Sequence, residues 1–242
     1  MACPTAPGFL EYKIRELQTL LQEFTPQAIS FDFIRFFVFW EGVRPDAEPF
    51  AINDGCYCPR CLRQFARDSG ITLPDQPEQN LKQMYWREWG RWKCAVIAKV
   101  LYTLVQVVHH TSPGLPIMAK IIPWRRADFQ EAYAHVAGQD ILQLKEMVDY
   151  LVPMTFSHIL YRDTAWKTSV ISEFRQQTGK PLLSYVQIEN LYREEQITPT
   201  DVRDDFLISR RVTPEGLILF CYEQLQGHPE RIQLLREAKG AK

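Results

Sequence analysis

Four absences narrow the sequence before any motif is read. The opening residues, MACPTAPGFLEYKIRELQ, lack the basic stretch, long apolar run and small-residue cleavage site of a secretory leader, so the expected location is cytoplasmic. No uninterrupted apolar run approaches the roughly 20 residues that cross a bilayer. Even LYTLVQVV is bounded by Lys99 and His109-His110, and no membrane partner is expected. Charge of one sign is missing as well: 28 Lys and Arg face 29 Asp and Glu, which leaves no global field for nucleic acid and points to a neutral partner. Glycine is sparse, 11 in 242 residues, and the first strand-like run is followed by Arg35, Phe36 and Trp40 where a dinucleotide fold would place a glycine-rich turn.

What is present alternates between two periods. With 46% hydrophobic residues, the 242-residue chain can bury a core of its own, and a single domain over residues 1–242 is the expectation. Phe9, Ile14, Leu17, Leu20, Leu21 and Phe24 recur at helical spacing until Pro26. The run AISFDFIRFFVFW is then β-branched and aromatic throughout, as a strand buried on both faces should be. A long amphipathic helix is predicted from about Gln79 to His110. Strands PIMAKII, YLVPMTF, LLSYVQI and GLILFCY follow, separated by helical stretches ending near Met147, Gln177, Arg211 and Lys239. The predicted class is α/β, with about five parallel strands joined by crossover helices, either an open sheet or most of a barrel. Aromatic or polar residues recur just past the strand ends: Arg35 and Trp40, Trp124, His158, Tyr185 with Gln187 and Glu189, and Tyr222 with Glu223. In a barrel these would converge on one mouth.

Of six cysteines, three fall in Cys56-Tyr57-Cys58-Pro59-Arg60-Cys61, a spacing suited to a metal. Plain reduced thiols remain an alternative, as does a redox pair of Cys58 and Cys61 at a helix start. Cys94 and Cys221 read as small buried hydrophobes, the first on a helix and the second in a strand.

The segment CPTAPGFLEYKIRELQTLLQEF, with a strand and then CYCPRCLRQF after it, resembles the beta-galactosidases of glycoside hydrolase family 42. The strand SFDFIRF and the run Val152-Pro153-Met154-Thr155-Phe156 are similar to uncharacterised glycoside-hydrolase-like barrel families. The resemblance implies an incomplete (β/α)8 TIM barrel in which Ile29 to Phe36 is the fourth strand. Strands one to three are absent, so the chain would be a fragment missing an N-terminal segment, a truncated barrel, or a subunit completed by a second chain. It also implies a structural zinc held by Cys3, Cys56, Cys58 and Cys61, closed by four thiolates and so without an open catalytic position.

Glycosidic cleavage takes paired carboxyl groups. The resemblance maps a nucleophile onto Glu189 and a strand carboxylate onto Asp32. The Asn-Glu pair that family 42 carries on its fourth strand is missing from SFDFIRFFVFWEG, which leaves Glu41 as a substitute acid and Glu223 as another. Arg35 or Lys120 would pair with Asp32. Among the aromatics that would stack on sugar, Trp40, Trp124, Tyr185 and Tyr222, only Trp40 and Trp124 sit late enough in their segments to escape the core. His158, Gln187 and Glu223 complete the expected carbohydrate site. A noncatalytic carbohydrate-binding remnant and a zinc-stabilised protein-interaction module are the competing functions.

Overall fold

The computed structural model describes residues 2–240; Met1, whose standing as the true start bears on the missing strands, lies outside them. The chain divides into two compact units, Met1–Phe39 with Ala47–Tyr150, and Trp40–Asp46 with Leu151–Lys242.

In the first unit, α1 (Phe9–Glu23) leads to β1 (Ile29–Phe31), α2 (Pro59–Ser69), α3 (Pro77–Met84), α4 (Trp86–Thr111), β2 (Ile117–Ile121) and the single-turn helices α5 (Ala132–His135) and α6 (Ile141–Leu144). β1 and β2 run parallel, Ile29 opposite Ile117 and Phe31 opposite Ala119. The aromatic run expected as one strand keeps its ladder only to Phe31. Phe33 turns into the left-handed region at φ 52°, which ends the pleat, and the chain re-enters pairing only as an antiparallel bridge from Val38 to Asp54. The expected long helix is likewise two, broken at Tyr85 (φ −133°, ψ 43°) between α3 and α4.

By length and composition α4 could cross a bilayer, although Lys93 and Lys99 interrupt it; here it packs against α1, α2, α3 and α5. Its period of 3.6 puts Trp89, Lys93, Ile97, Leu101 and Val108 on the buried stripe. Trp89 and Trp92 stack at 4.8 Å, and Phe65 from α2 meets their rings edge-on at 5.1 and 6.1 Å. That aromatic block is the core of the first unit.

The second unit holds β3 (Tyr150–Pro153), whose first residue belongs to the first unit, then α7 (Thr164–Thr178), β4 (Ser184–Gln187), α8 (Pro199–Val212), β5 (Leu217–Phe220), α9 (Tyr222–Gln226) and α10 (Pro229–Gly240). All four later strands thus fall inside the runs predicted for them. β4 and β5 are parallel, from Ser184 opposite Leu217 to Gln187 opposite Phe220, and Leu151 bridges in parallel to Leu182 just before β4. Parallel pairing forces crossovers, which α7 and α8 provide. Phe156, Tyr185 and Phe220 meet at 4.7 to 6.2 Å, and a second cluster of Val186, Ile188, Val202 and Phe206 packs under α10 through Leu235 and Ala238. The described strands form an α/β arrangement with parallel pairing rather than a closed barrel.

Candidate functional site

β1 and β2 end side by side, and the register that sets Phe31 against Ala119 brings Asp32 and Lys120 together at their carboxyl-terminal ends. Lys120 Nζ lies 2.9 Å from Asp32 Oδ2, with the two side chains 26% and 37% exposed, so the pair is open to a ligand. Asp32 Oδ1 accepts the Phe33 N–H at 2.7 Å, which supports the left-handed turn there. Behind the pair, the buried Gln139 amide donates to the Ile34 and Lys120 carbonyls at 3.1 Å each and accepts from the Ile122 N–H at 2.9 Å. Lys120 is thus a cation beside Asp32, and buried Arg35 lays its guanidinium 4.8 Å from the centre of the Phe33 ring.

Glu189 stands two residues beyond β4. Its Oε1 accepts the Asn190 N–H at 3.0 Å, while its Oε2 faces Arg231 at 3.0 Å and His228. Partial burial pushes its pKa up, but the Asn190 N–H and the charges of Arg231 and His228 outweigh that and hold it below the usual glutamate value. Such a carboxylate suits a nucleophile or base, not a proton donor. Gln187, 2% exposed, accepts the Ile159 N–H at 3.1 Å and donates to the Glu189 carbonyl at 2.8 Å. His158, in the loop between β3 and α7, lines a cavity with Gln187. Glu41 lies in a single turn, Trp40–Gly42, that belongs to the second unit.

Both tryptophans expected to reach a sugar are core residues. Trp40 is 0% exposed and stacks 6.1 Å from Phe156; Trp124 is 3% exposed and meets Phe129 edge-on at 5.1 Å. Their place after the strands was legible, but each ring packs back into the core. Tyr185 is enclosed by Phe156 and Phe220, while Tyr222 is exposed at the start of α9 with Glu223 beside it. The exposed rings near Asp32 are instead Phe33, Phe37 and Phe39, on alternate sides of buried Ile34, Phe36 and Val38. Because every residue of FIRFFVF except Arg35 is apolar, no sequence pattern marks which rings are exposed.

Cys3, Cys56, Cys58 and Cys61 bring their sulfurs within 4.8 Å of one another, Cys3 to Cys58 at 3.8 Å and Cys3 to Cys61 at 3.4 Å. Four ligands at a zinc–sulfur distance of about 2.3 Å would stand about 3.8 Å apart at the corners of a tetrahedron, so the donor set fits a dication of that kind. Cys58 caps α2. Burial pushes its thiol up, yet the Cys61 backbone and the neighbouring thiols outweigh this and bring it down to about 7. Burial raises Cys56 to about 11 and Cys61 further still. Cys94 is buried as expected, but Cys221 caps α9 half-buried rather than lying inside β5.

Next to this cluster, Asp54 is 3% exposed between Lys82 at 3.2 Å and fully buried Lys93, and accepts the Tyr57 hydroxyl at 3.0 Å. The second unit repeats the device with Lys167 and Asp205 at 2.5 Å. Neither was singled out from sequence, although the spacing Trp89, Lys93, Ile97 places a lysine on an apolar stripe.

No family model and no curated protein matches the chain in sequence. In structure it is similar to the PgaB (BpsB) glycoside hydrolase domain from Bordetella bronchiseptica, with a TM-score of 0.67 and 13% identity over 96% of this chain and 62% of that one. It is also similar to a chitinase from Chromobacterium violaceum ATCC 12472, with a TM-score of 0.50 and 10% identity over 98% of each chain. The chain therefore spans less than two thirds of the PgaB domain chain, and at these identities the likeness is one of fold: the chain has a glycoside-hydrolase-like fold.

Proposed function

We propose that the chain acts on a glycan, with Asp32 of the first unit and Glu189 of the second each a candidate acid for cleaving a glycosidic bond. The observation that carries this reading is the part-exposed Asp32–Lys120 pair at the carboxyl-terminal ends of two adjacent parallel strands, where active sites of strand-helix barrels lie. An oxocarbenium-like transition state gains from nearby carboxylate charge. Glu189 takes the nucleophile or base role, since its surroundings keep it ionised. Proton donation falls to Glu41, the substitute for the family 42 Asn-Glu acid. Lys120 positions Asp32 and meets substrate hydroxyls. A zinc ion on Cys3, Cys56, Cys58 and Cys61 is structural: with four thiolates it ties the loop before α1 to the start of α2 and offers water no open position.

The test is release of reducing ends from chitin oligosaccharides and β-galactosides. Asp32→Asn and Glu189→Gln should each lower the rate by about 100-fold or more, the usual contribution of a positioned acid or base. One observation favours a second reading, glycan binding without cleavage: Arg231 and His228 already occupy Glu189. Saturable binding with no product, unaltered by Glu189→Gln, would select it.

A further inference from the structure

Between α9 and α10 the chain reads Gly227-His228-Pro229-Glu230-Arg231. Proline disfavours helical backbone in the residue before it, so α9 ends ahead of His228 and Pro229 opens α10. The turn is closed by its own backbone: the His228 N–H donates to the Leu225 carbonyl at 3.0 Å, and the His228 carbonyl accepts the Arg231 and Ile232 N–H groups at 3.0 and 3.2 Å. That fixes where the imidazole stands, beside Glu189.

Two cations meet Glu189 there, and only one of them can change its charge near neutral pH. Arg231 is the permanent one. Its side chain is 7% exposed, and its guanidinium donates to the Ile188 carbonyl and, at 3.2 Å, to the Ile197 carbonyl as well as to Glu189. An arginine keeps its proton at any pH of interest. His228 is the variable one. Its Nε2 faces Glu189 Oε2 and its Nδ1 lies 3.0 Å from Glu230 Oε1, with the side chain 31% exposed and so within reach of solvent protons. Among the described residues the charged groups around the ring are therefore Glu189 from the loop after β4, and Glu230 and Arg231 from α10, the arginine sharing both carboxylates.

Hydrogen-bond counting sets the switch. An imidazolium has two N–H donors, one for each carboxylate, whereas a neutral ring has one and turns a lone pair on the other glutamate. Both contacts hold only while the ring carries its second proton. Glu189 and Glu230 both lie below the usual glutamate pKa, the latter hydrogen-bonded to its own backbone N–H. Over about pH 5 to 8, where histidine ordinarily changes charge, the carboxylates thus stay ionised. Beyond the turn α10 is held independently, by Leu235 and Ala238 in the core cluster and by Arg210, which donates to the Ala238 carbonyl at 2.9 Å. Loss of the proton opens the turn and not the helix.

We infer that His228 is a pH-operated latch: as an imidazolium it closes the α9–α10 turn over Glu189, and as a neutral imidazole it lets the turn open and bares one side of the carboxylate to a ligand. What that exposure serves rests on the reading of Glu189 as a working acid; the latch itself does not. The stabilisation belongs to the protonated ring, so it is complete at the acid end of this range and is lost as pH rises.

Hydrogen exchange of the full chain, expressed as protection relative to the intrinsic rate at each pH, tests this at the Arg231 and Ile232 amides. Protection in the parent should fall about tenfold or more between about pH 5.5 and about pH 8.5, the usual worth of a hydrogen bond to a charged group. His228→Asn, never charged, should be low and flat, and His228→Lys, charged throughout, should be high and flat. Nitrogen NMR of the parent's His228 ring should show deprotonation at the same midpoint, which keeps the test open if either variant folds poorly. Constant protection in the parent, a fall that survives His228→Asn or His228→Lys, or a ring midpoint apart from that of the exchange would each overturn the latch. Glycan cleavage is measured separately. A chain that cleaves nothing while its turn opens with pH loses the hydrolase reading and keeps the latch, and an active chain whose turn ignores pH loses the latch alone.

Discussion

Each unit buries a lysine completely against an aspartate, and the two use the pair differently. In the first unit Asp54 is shared: Lys93, Lys82 and the Tyr57 hydroxyl all converge on it, two residues before Cys56 of the thiol cluster. Three aromatic rings, Phe36, Tyr57 and Trp89, lie 5.4 to 5.6 Å from the Lys93 ammonium. In the second unit Lys167 has a single carboxylate among the described residues, Asp205, and completes its bonds on the Tyr185 carbonyl at 2.6 Å and the Ser209 hydroxyl at 3.1 Å. Asp205 in turn lines the cavity. For both lysines burial is the dominant cause of a lowered pKa, with the aspartate working against it. One arrangement locks a loop that carries cysteines, and the other stiffens the wall of a cavity; the same buried pair therefore says nothing by itself about function.

The largest effect that separates the units is expected at the cysteines. Metal analysis should find roughly one zinc per chain, the stoichiometry of a four-thiolate site. Chelation or Cys58→Ser should then unfold the α2 region, since structural zinc in small peptides is worth about 10 to 16 kcal/mol. Hydrogen exchange checks this: amides of α2 and of the Trp89–Trp92 region should lose protection, while β4 and β5 keep theirs. Equal loss in both units would show that the cluster supports the whole chain, and no loss would return the cysteines to plain thiols.

Next come the lysines. Lys167→Met leaves Asp205 buried without a cation and should cost about 3 to 5 kcal/mol, read from the denaturation midpoint. Lys93→Met should cost less, because Lys82 still faces Asp54. Pairing Lys167→Met with Asp205→Leu should recover most of the loss, since replacing a whole buried pair by apolar groups is often nearly neutral. If Lys93→Met proved the costlier change, Lys82 would not share the charge and the contrast between the units would fail.

What could be read in advance follows the range of the interactions. β2 to β5 and the helices α7 and α8 were legible because their periodicity is local, whereas the helical stretch expected between β2 and β3 is broken into single turns. The end of β1 was not, because SFDFIRFFVFW is apolar at either period and the turn at Phe33 depends on bonds from Asp32 and Arg35. Cys3 is far from the CYCPRC loop in sequence and entered the set only through the family 42 resemblance. Trp40 and Trp124 went wrong for the same reason: position after a strand says nothing of where the ring packs. The partners of Glu189 lie beyond β5, at His228 and Arg231, and no local pattern announces a contact of that span.

The smallest expected effect concerns acid. Glu189, Asp201 and Glu215 in the second unit all have lowered pKa values. Charged and hydrogen-bonding neighbours outweigh burial at Glu189, the Thr198 hydroxyl and backbone act on Asp201, and Arg175 acts on Glu215. A carboxylate whose folded pKa lies below its unfolded one binds fewer protons in the folded chain. Its contribution is therefore present above the unfolded value of 4.5 for a glutamate and fades as pH falls through the folded value. The second unit should accordingly lose exchange protection as pH drops below about 4.5, and the aromatic block around Trp89 and Trp92 should follow through Asp68, which accepts the Trp92 N–H and also has a lowered pKa. Glu189→Gln isolates one share of that slope: the gap in stability between parent and variant should be widest near pH 7 and close toward pH 3. A gap that stayed constant across that range would mean that Arg231 and His228 hold Glu189 by geometry rather than by charge, and the carboxylate would then have no claim to the ionised role in cleavage.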